Sequence, residues 1–147
     1  MNLPHEPKCN VTRVMSSCLR MPLKTKWFEM TKVGIKTEDY REITPYWCSR
    51  LLLWNGFKVS QKHWYRRLED FYCKTDIECL QEHFKNKDAD FVKFDINTIT
   101  LGYPKTTDKD KILEIEHKGI KIGTGNPEWG AEPYKIYFVI MHGSILT

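Results

Sequence analysis

The 147-residue chain contains no apolar run approaching the roughly 20 residues that a membrane-spanning helix requires. No passage through a bilayer and no membrane partner is therefore expected. The segment from Met1 to Asn10 lacks the apolar core of a secretory leader, and a cytoplasmic location is the expectation that follows. There is no internal repeat and no low-complexity tract, which sets aside solenoids and disordered linkers. The lysine and following serine or threonine of a phosphate-binding P-loop are missing. No C-x-x-C pair or second histidine pair completes a metal site. Cys79 and His83 stand four apart on a predicted helix with Cys73 nearby, and they read as a buried thiol and an exposed histidine. No metal and no cofactor is expected. The cysteines (Cys9, Cys18, Cys48, Cys73 and Cys79) are odd in number and irregularly spaced. They are expected to be free thiols, and none has an activating partner in sequence.

What is present is enough apolar and aromatic residue for one domain with a real core. The net charge of +4 is compatible with a phosphate-bearing partner. Positive charge gathers early: Lys8, Arg13, Arg20, Lys24, Lys26, Lys32 and Lys36 outnumber Glu6 and Glu29. A basic face is expected there.

Residues 1–20 read as an N-terminal arm with one short ordered piece from Val11 to Leu19. Met21-Pro22-Leu23 reads as a short strand. Trp27, Phe28, Met30 and Val33 give a short amphipathic helix stopped at Gly34. A strand over Tyr40 to Ile43 ends at Thr44-Pro45, where proline opens the next helix with Tyr46, Trp47, Leu51 and Leu52 on its apolar face. Asn55-Gly56 signals a turn. Trp64, Leu68, Phe71 and Tyr72 recur at helical spacing, and Thr75-Asp-Ile-Glu78 is a capping box for a further helix. Phe91 to Phe94 and Ile96 to Leu101 read as strands. Between Ile112 and Ile122 the apolar positions switch from odd to even near Gly119, which predicts a β-bulge and a bent strand. Ile136 to Met141 is continuously apolar, as in a strand covered on both faces. Helices cluster early and strands late, so an α+β fold with a curled sheet is expected.

Two stretches carry candidate chemistry. The first is Gly34-Ile-Lys-Thr-Glu-Asp-Tyr-Arg41, a G-x-K-x-x-[E/D]-x-R pattern. Strand alternation places Asp39 and Arg41 on one side. In a cleft, Lys36 serves as a base or grips phosphate, Asp39 orients a water or an exocyclic amine, and Arg41 forks onto phosphate or carboxylate. The same residues also describe an ordinary surface, with Gly34 capping a helix, Lys36 solvated and Asp39 paired with Arg41. The second is the glycine-rich stretch Gly123 to Glu132. Its backbone can approach a ligand closely, Trp129 offers a stacking face and Glu128 an acceptor. It reads equally as a tight connection whose tryptophan plugs a barrel end. Trp27, Trp47 and Trp64 sit at core spacing.

Around the first stretch, Lys26-Trp-Phe precedes the motif and Tyr40-Arg-Glu-Ile-Thr-Pro-Tyr-Trp47 follows it. With these flanks, Leu23 to Leu52 resembles ASCH domains of the PUA-like superfamily, of the small stand-alone bacterial and phage type. Asp39 stands where glutamate is usual. The glycine-rich loop and the terminal apolar strand look like the end of the same proteins. The resemblance covers residues 21–147, with a helical elaboration around 59–87. It implies a PUA-like barrel of about five or six strands with helices around it and a cleft beside the motif. It further implies an RNA- or nucleotide-binding module, with Lys36, Asp39, Tyr40, Arg41, Glu128 and Trp129 as binding residues. The alternative it implies is a hydrolase, either an amidohydrolase of N4-acetylcytidine or a ribonuclease, with Lys36 and Asp39 catalytic. In the family's enzymatic branch a lysine and a threonine of the motif work with a distal glutamate. Lys36 matches the lysine, but Asp39 occupies the threonine's place and Thr37 is out of register. A protein-interaction adaptor working through the N-terminal arm is a third reading.

Overall fold

The structure, a computed structural model, describes residues 17–69 and 75–147. Among the described residues the first element is strand β1 (Cys18–Leu23), so residues 18–20 of the expected arm belong to the sheet. Helix α1 (Thr25–Lys32) follows and ends where expected. The Ile35 N–H reaches the Met30 carbonyl at 3.0 Å, and the Gly34 N–H reaches that of Thr31 at 3.1 Å. This is the paired hydrogen bonding of a Schellman stop, with Gly34 at φ +86°. The stop reverses the chain into β2 (Glu38–Arg41).

Thr44 then caps α2 (Pro45–Leu51) by accepting from the Trp47 N–H, with proline in the first turn where no N–H is needed. Next come β3 (Leu52–Trp54), α3 (Gln61–Arg67), α4 (Asp76–Lys85) and β4 (Ala89–Phe91). The capping box at Thr75 and Glu78 is complete. Helix α3 stops at Arg67 with Leu68 as its cap, short of the expected span. Phe71 and Tyr72 lie outside the described residues, as do Cys9, Cys73 and most of Val11 to Leu19. The expected strand Phe91 to Phe94 survives only at Phe91. Its partner β3 is three residues long, and beyond that ladder the Val92 N–H turns to the Leu51 carbonyl.

The rest is β5 (Ile96–Leu101), β6 (Ile112–Thr124) and β7 (Ile136–Ile145). Five strands form one curled half-barrel sheet in the order β1-β5-β6-β7-β2, and β3 and β4 make a second small sheet. β1 and β5 run parallel, and the other pairs are antiparallel. The fold is α+β, with helices surrounding the curled sheet. Curling comes from β6, where the register against β7 shifts between Ile115 and His117 and again between His117 and Gly119. The expected bulge is therefore real, and Gly119 sits at φ +132°.

The sheet's concave face carries Leu19, Met21, Ile99, Ile115, Phe138 and Ile140, packed with Phe28 of α1 and with Leu51, Leu52, Trp64 and Leu80 of the helical layer. Each such fully buried side chain contributes about 1.5–3 kcal/mol. Tyr137 and Val139, on the opposite face of β7, form a separate cluster with Ala131, Tyr40 and Met141. The last strand is covered on both sides, as its unbroken apolar run requires.

The fold depends on the bend at Gly119. Gly119→Ala is expected to cost about 1–3 kcal/mol, because an L side chain is strained at this φ. A shift of the urea midpoint is the readout, and an unchanged midpoint would show that the bulge relaxes freely.

Candidate functional site

The half-barrel has two free ends among the described residues, β1 and β2. No backbone ladder joins them. A cleft of about 280 Å³ opens along this seam, lined by Pro22, Leu23 and Lys24 from the β1 side and by Lys36, Asp39, Tyr40 and Arg41 from the β2 side. Trp27, Trp129, Gly130 and Tyr137 complete its walls.

Asp39 organises the floor. Its register against Ile140 turns the carboxylate toward the core side, and it is 5% exposed. Asp39 Oδ2 accepts from Arg41 Nη2 at 2.8 Å and from Nε at 3.3 Å. Asp39 Oδ1 accepts from Lys36 Nζ at 3.3 Å and from the Tyr40 N–H at 3.1 Å. Lys36 is itself 2% exposed, and its ammonium also donates to the Glu38 carbonyl at 2.6 Å. The solvated lysine of the surface reading is thereby overturned, since the Schellman stop directs Lys36 inward. Arg20, Lys24, Lys26 and Lys32 remain exposed, as the expected basic face requires. Lys8 and Arg13 lie outside the described residues.

The charges shift one another. Burial pushes the Lys36 amine below the ordinary lysine value, against the pull of Asp39. For Asp39, burial raises the carboxyl, but the Arg41 and Lys36 cations outweigh it and hold the group below the usual range. Arg41 also spans the seam: its Nη2 donates to the Pro22 carbonyl of β1 at 3.2 Å. Its guanidinium lies 4.9 Å from the Trp47 ring centroid.

Tyr40 lines the cleft but is tied down. Its hydroxyl donates to Glu38 Oε1 at 2.8 Å and accepts from the Asn126 N–H at 2.9 Å. Burial raises its phenol above the ordinary value. It therefore acts as a brace between β2 and the loop, not as a free stacking face. Glu128 is exposed and does not line the cleft, contrary to expectation. Asn126 caps a 3-10 turn over Pro127–Trp129. With three residues per turn, neighbouring side chains diverge, so Trp129 faces the cleft while Glu128 points away.

Sequence reasoning missed Trp27, whose ring lies against Gly130. A β-carbon there would sit 3.1 Å from Trp27 Cζ2, and the residue has φ +102°, so only glycine admits this approach. Trp27 and Trp129 thus bring two indoles to one cleft. The only signal in the sequence was the Lys26-Trp-Phe flank of the motif.

Behind Asp39 lies a second polar group that sequence reasoning also missed. Asn97 Nδ2 donates to His142 Nδ1 at 2.8 Å and to the Met141 carbonyl at 3.4 Å, while Asn97 Oδ1 accepts from His117 Nδ1 at 2.7 Å. The carbonyl can only accept, which orients the amide. His142 Nδ1 is then an acceptor and Nε2 carries the proton, buried and without a hydrogen-bond partner. Burial depresses His142 to about 4, opposed by Asp39 and reinforced by Lys36 and His117.

Other chemistries are poorly served. Burial, with Asp76 nearby, pushes the Cys48 thiol up to about 12, so it supplies no thiolate. Cys18 is disulfide-bonded, which corrects the expectation of free thiols at that position. Among the described residues no group of three or more histidine, cysteine, aspartate or glutamate side chains is placed to hold a metal ion, and no helix is long and apolar enough to cross a membrane. Comparison with protein-family models, with curated proteins and with solved structures finds no match to this chain.

Two outcomes are expected from this geometry. Asp39→Asn strands a buried ammonium and should destabilise the fold by about 3–5 kcal/mol, measurable by urea unfolding against wild type. Acid should act through His142. Its folded value lies below that of the unfolded chain, so the unfolded state binds more protons between about pH 6.5 and 4. Stability is therefore complete above that window and falls by about 3 kcal/mol across it. His142→Gln should flatten this slope, and a variant that follows the wild-type curve would show that another group governs it.

Proposed function

We propose that the protein is an ASCH-type, PUA-like module that holds a nucleotide or a base of single-stranded RNA in the seam cleft. The observation that carries this reading is the convergence of two indoles, Trp27 and Trp129, over a floor of Lys36, Asp39 and Arg41. Aromatic faces accept any base by stacking, and fixed donors beside them select its edge or its phosphate. A cleft near 280 Å³ is at the small end of ligand sites and suits a base or nucleoside, not a duplex. Within it, Arg41 keeps one hand on Asp39 and one on Pro22, and its partly exposed guanidinium still offers charge to an anion. Lys36 acts from below, as a buried positive field and not as a direct grip.

A second reading, hydrolysis of a modified nucleoside or of RNA, is supported by one feature: a buried amine with a lowered pKa lining the cleft. A lysine whose proton is held less tightly than usual is a candidate base. Against it, the Asp39 carboxylate is fully engaged by Lys36, Arg41 and the Tyr40 N–H, so it has little left to position water. Glu128, the other candidate carboxylate, is exposed and does not line the cleft. Binding is the better-supported function.

NMR titration with a panel of nucleosides and mononucleotides tests both readings in one series. Under the binding reading the Trp129 and Trp27 indole signals shift, Trp129→Ala loses about 1–3 kcal/mol of affinity, and added salt weakens the phosphorylated ligands more than the nucleosides. Chromatography of the same samples, with N4-acetylcytidine included, reports turnover. Product that vanishes in Lys36→Met would put the hydrolase reading first, and indole signals indifferent to every ligand together with no product would end both.

A further inference from the structure

The seam does not end at the cleft. β1 is an edge strand among the described residues, and its outward carbonyls at Arg20 and Pro22 are two residues apart. Each is met by an arginine. Arg41 Nη2 donates to Pro22 at 3.2 Å, and Arg50 Nη2, from α2, donates to Arg20 at 3.1 Å. Trp47 is shared by both, with the guanidinium carbons of Arg41 and Arg50 at 4.9 and 5.4 Å from its ring centroid. The two cations therefore follow the same strand edge and share one indole.

They differ in how their charge is met. Arg41 has Asp39. Among the described residues Arg50 bonds only to neutral oxygens, those of Arg20 and the Tyr46 hydroxyl at 3.0 Å. Lys58 stands beside it, donating to the Ser49 and Arg50 carbonyls at 2.7 and 3.0 Å as they end α2. Burial and the Arg50 charge push the Lys58 amine below its ordinary value, as two cations crowded together should. The sequence explains the shortage of carboxylates: from Ile43 to Leu68 there is no aspartate or glutamate, while Arg50, Lys58, Lys62, Arg66 and Arg67 all fall in that stretch. Arg20, exposed on β1, adds a further charge. Among the described residues no ion pair joins Arg20, Arg50 or Lys58 to a carboxylate.

We propose that this edge is a phosphate track for single-stranded RNA, on which the backbone flanking a base in the cleft crosses Arg20, Arg50 and Lys58. The inference rests on the cleft holding a base, and it selects a polynucleotide over a free mononucleotide as the partner. Aromatic rings interleaved with cations that meet no carboxylate among the described residues are what a single strand needs, since bases stack while phosphates displace counterions. An acidic protein would find the charges but make no use of the indoles.

The experiment compares wild type with Arg20→Glu and Arg50→Gln. Fluorescence anisotropy reports binding of a labelled RNA of about ten nucleotides, and the Trp129 indole NMR signal reports binding of free cytidine and adenosine. Arg20→Glu is the cleaner variant, because the Arg20 side chain makes no hydrogen bond among the described residues and the substitution reverses a charge at the residue whose carbonyl Arg50 bonds. Both variants should weaken RNA about tenfold and lower the slope of log affinity against log salt by about 0.7 for each phosphate no longer neutralised. Cytidine and adenosine shifts should be unchanged. RNA bound by Arg20→Glu with wild-type affinity and salt slope overturns the track, and so does wild type that binds no RNA. Nucleoside shifts with unaffected variants leave the cleft reading standing alone. Weakened RNA binding without any nucleoside shift retires the cleft reading, and with it the track as a path flanking a bound base.

Discussion

A single carboxylate at an open seam organises the polar half of this molecule. Asp39 is buried, and burial raises its carboxyl; the Arg41 guanidinium and the Lys36 ammonium outweigh that and hold it below the usual carboxylate range. Those cations in turn tolerate their positions because of it. The desolvation of three charges is comparable in size to their mutual attraction, so the network adds little net stability. It adds geometry. The Schellman stop of α1, the β2 ladder to β7 and the Arg41 bond to the Pro22 carbonyl of β1 all have to be in place for the three charges to meet. The seam is thereby closed by side chains where a full barrel would use backbone.

Leaving the seam without a ladder has a chemical consequence. A backbone ladder between β1 and β2 would occupy the carbonyls of Arg20 and Pro22 and fill the space where the cleft lies. With guanidinium groups there instead, the edge is protected against pairing with another strand and acquires positive charge in the same step. Trp27, Trp129 and Trp47 stand along that line, held by Gly130, by the capped 3-10 turn and by the flanking arginines. Aromatic surface and charge are both concentrated on the one side of the sheet that lacks hydrogen-bonded closure.

Much of this was legible in the sequence where local rules apply. The capping box at Thr75, the proline-started α2, the glycine stop at residue 34 and the bulge near Gly119 are signals carried within a few residues, and all four appear in the structure. The extent of strands was less legible, because a strand is as long as its partner. β4 ends at Phe91 since β3 has only three residues. The side of the chain on which a loop residue emerges was illegible. Glu128 and Trp129 are neighbours in sequence, yet a 3-10 turn sends one to solvent and the other to the cleft.

The sequence by itself determined the helix stops, the alternation that places Asp39 beside Arg41, the apolar surface that makes one core and the absence of acid between Ile43 and Leu68. These follow from backbone sterics and composition, which act over short distances and need no partner. Tertiary structure decided what those features are for. It turned Lys36 from a surface lysine into a buried one, set Trp27 across from Trp129, and brought Arg50 of α2 to the same strand edge as Arg41. Such pairings join residues distant in sequence, and only closure of the sheet around its core sets the distances on which electrostatics and stacking depend.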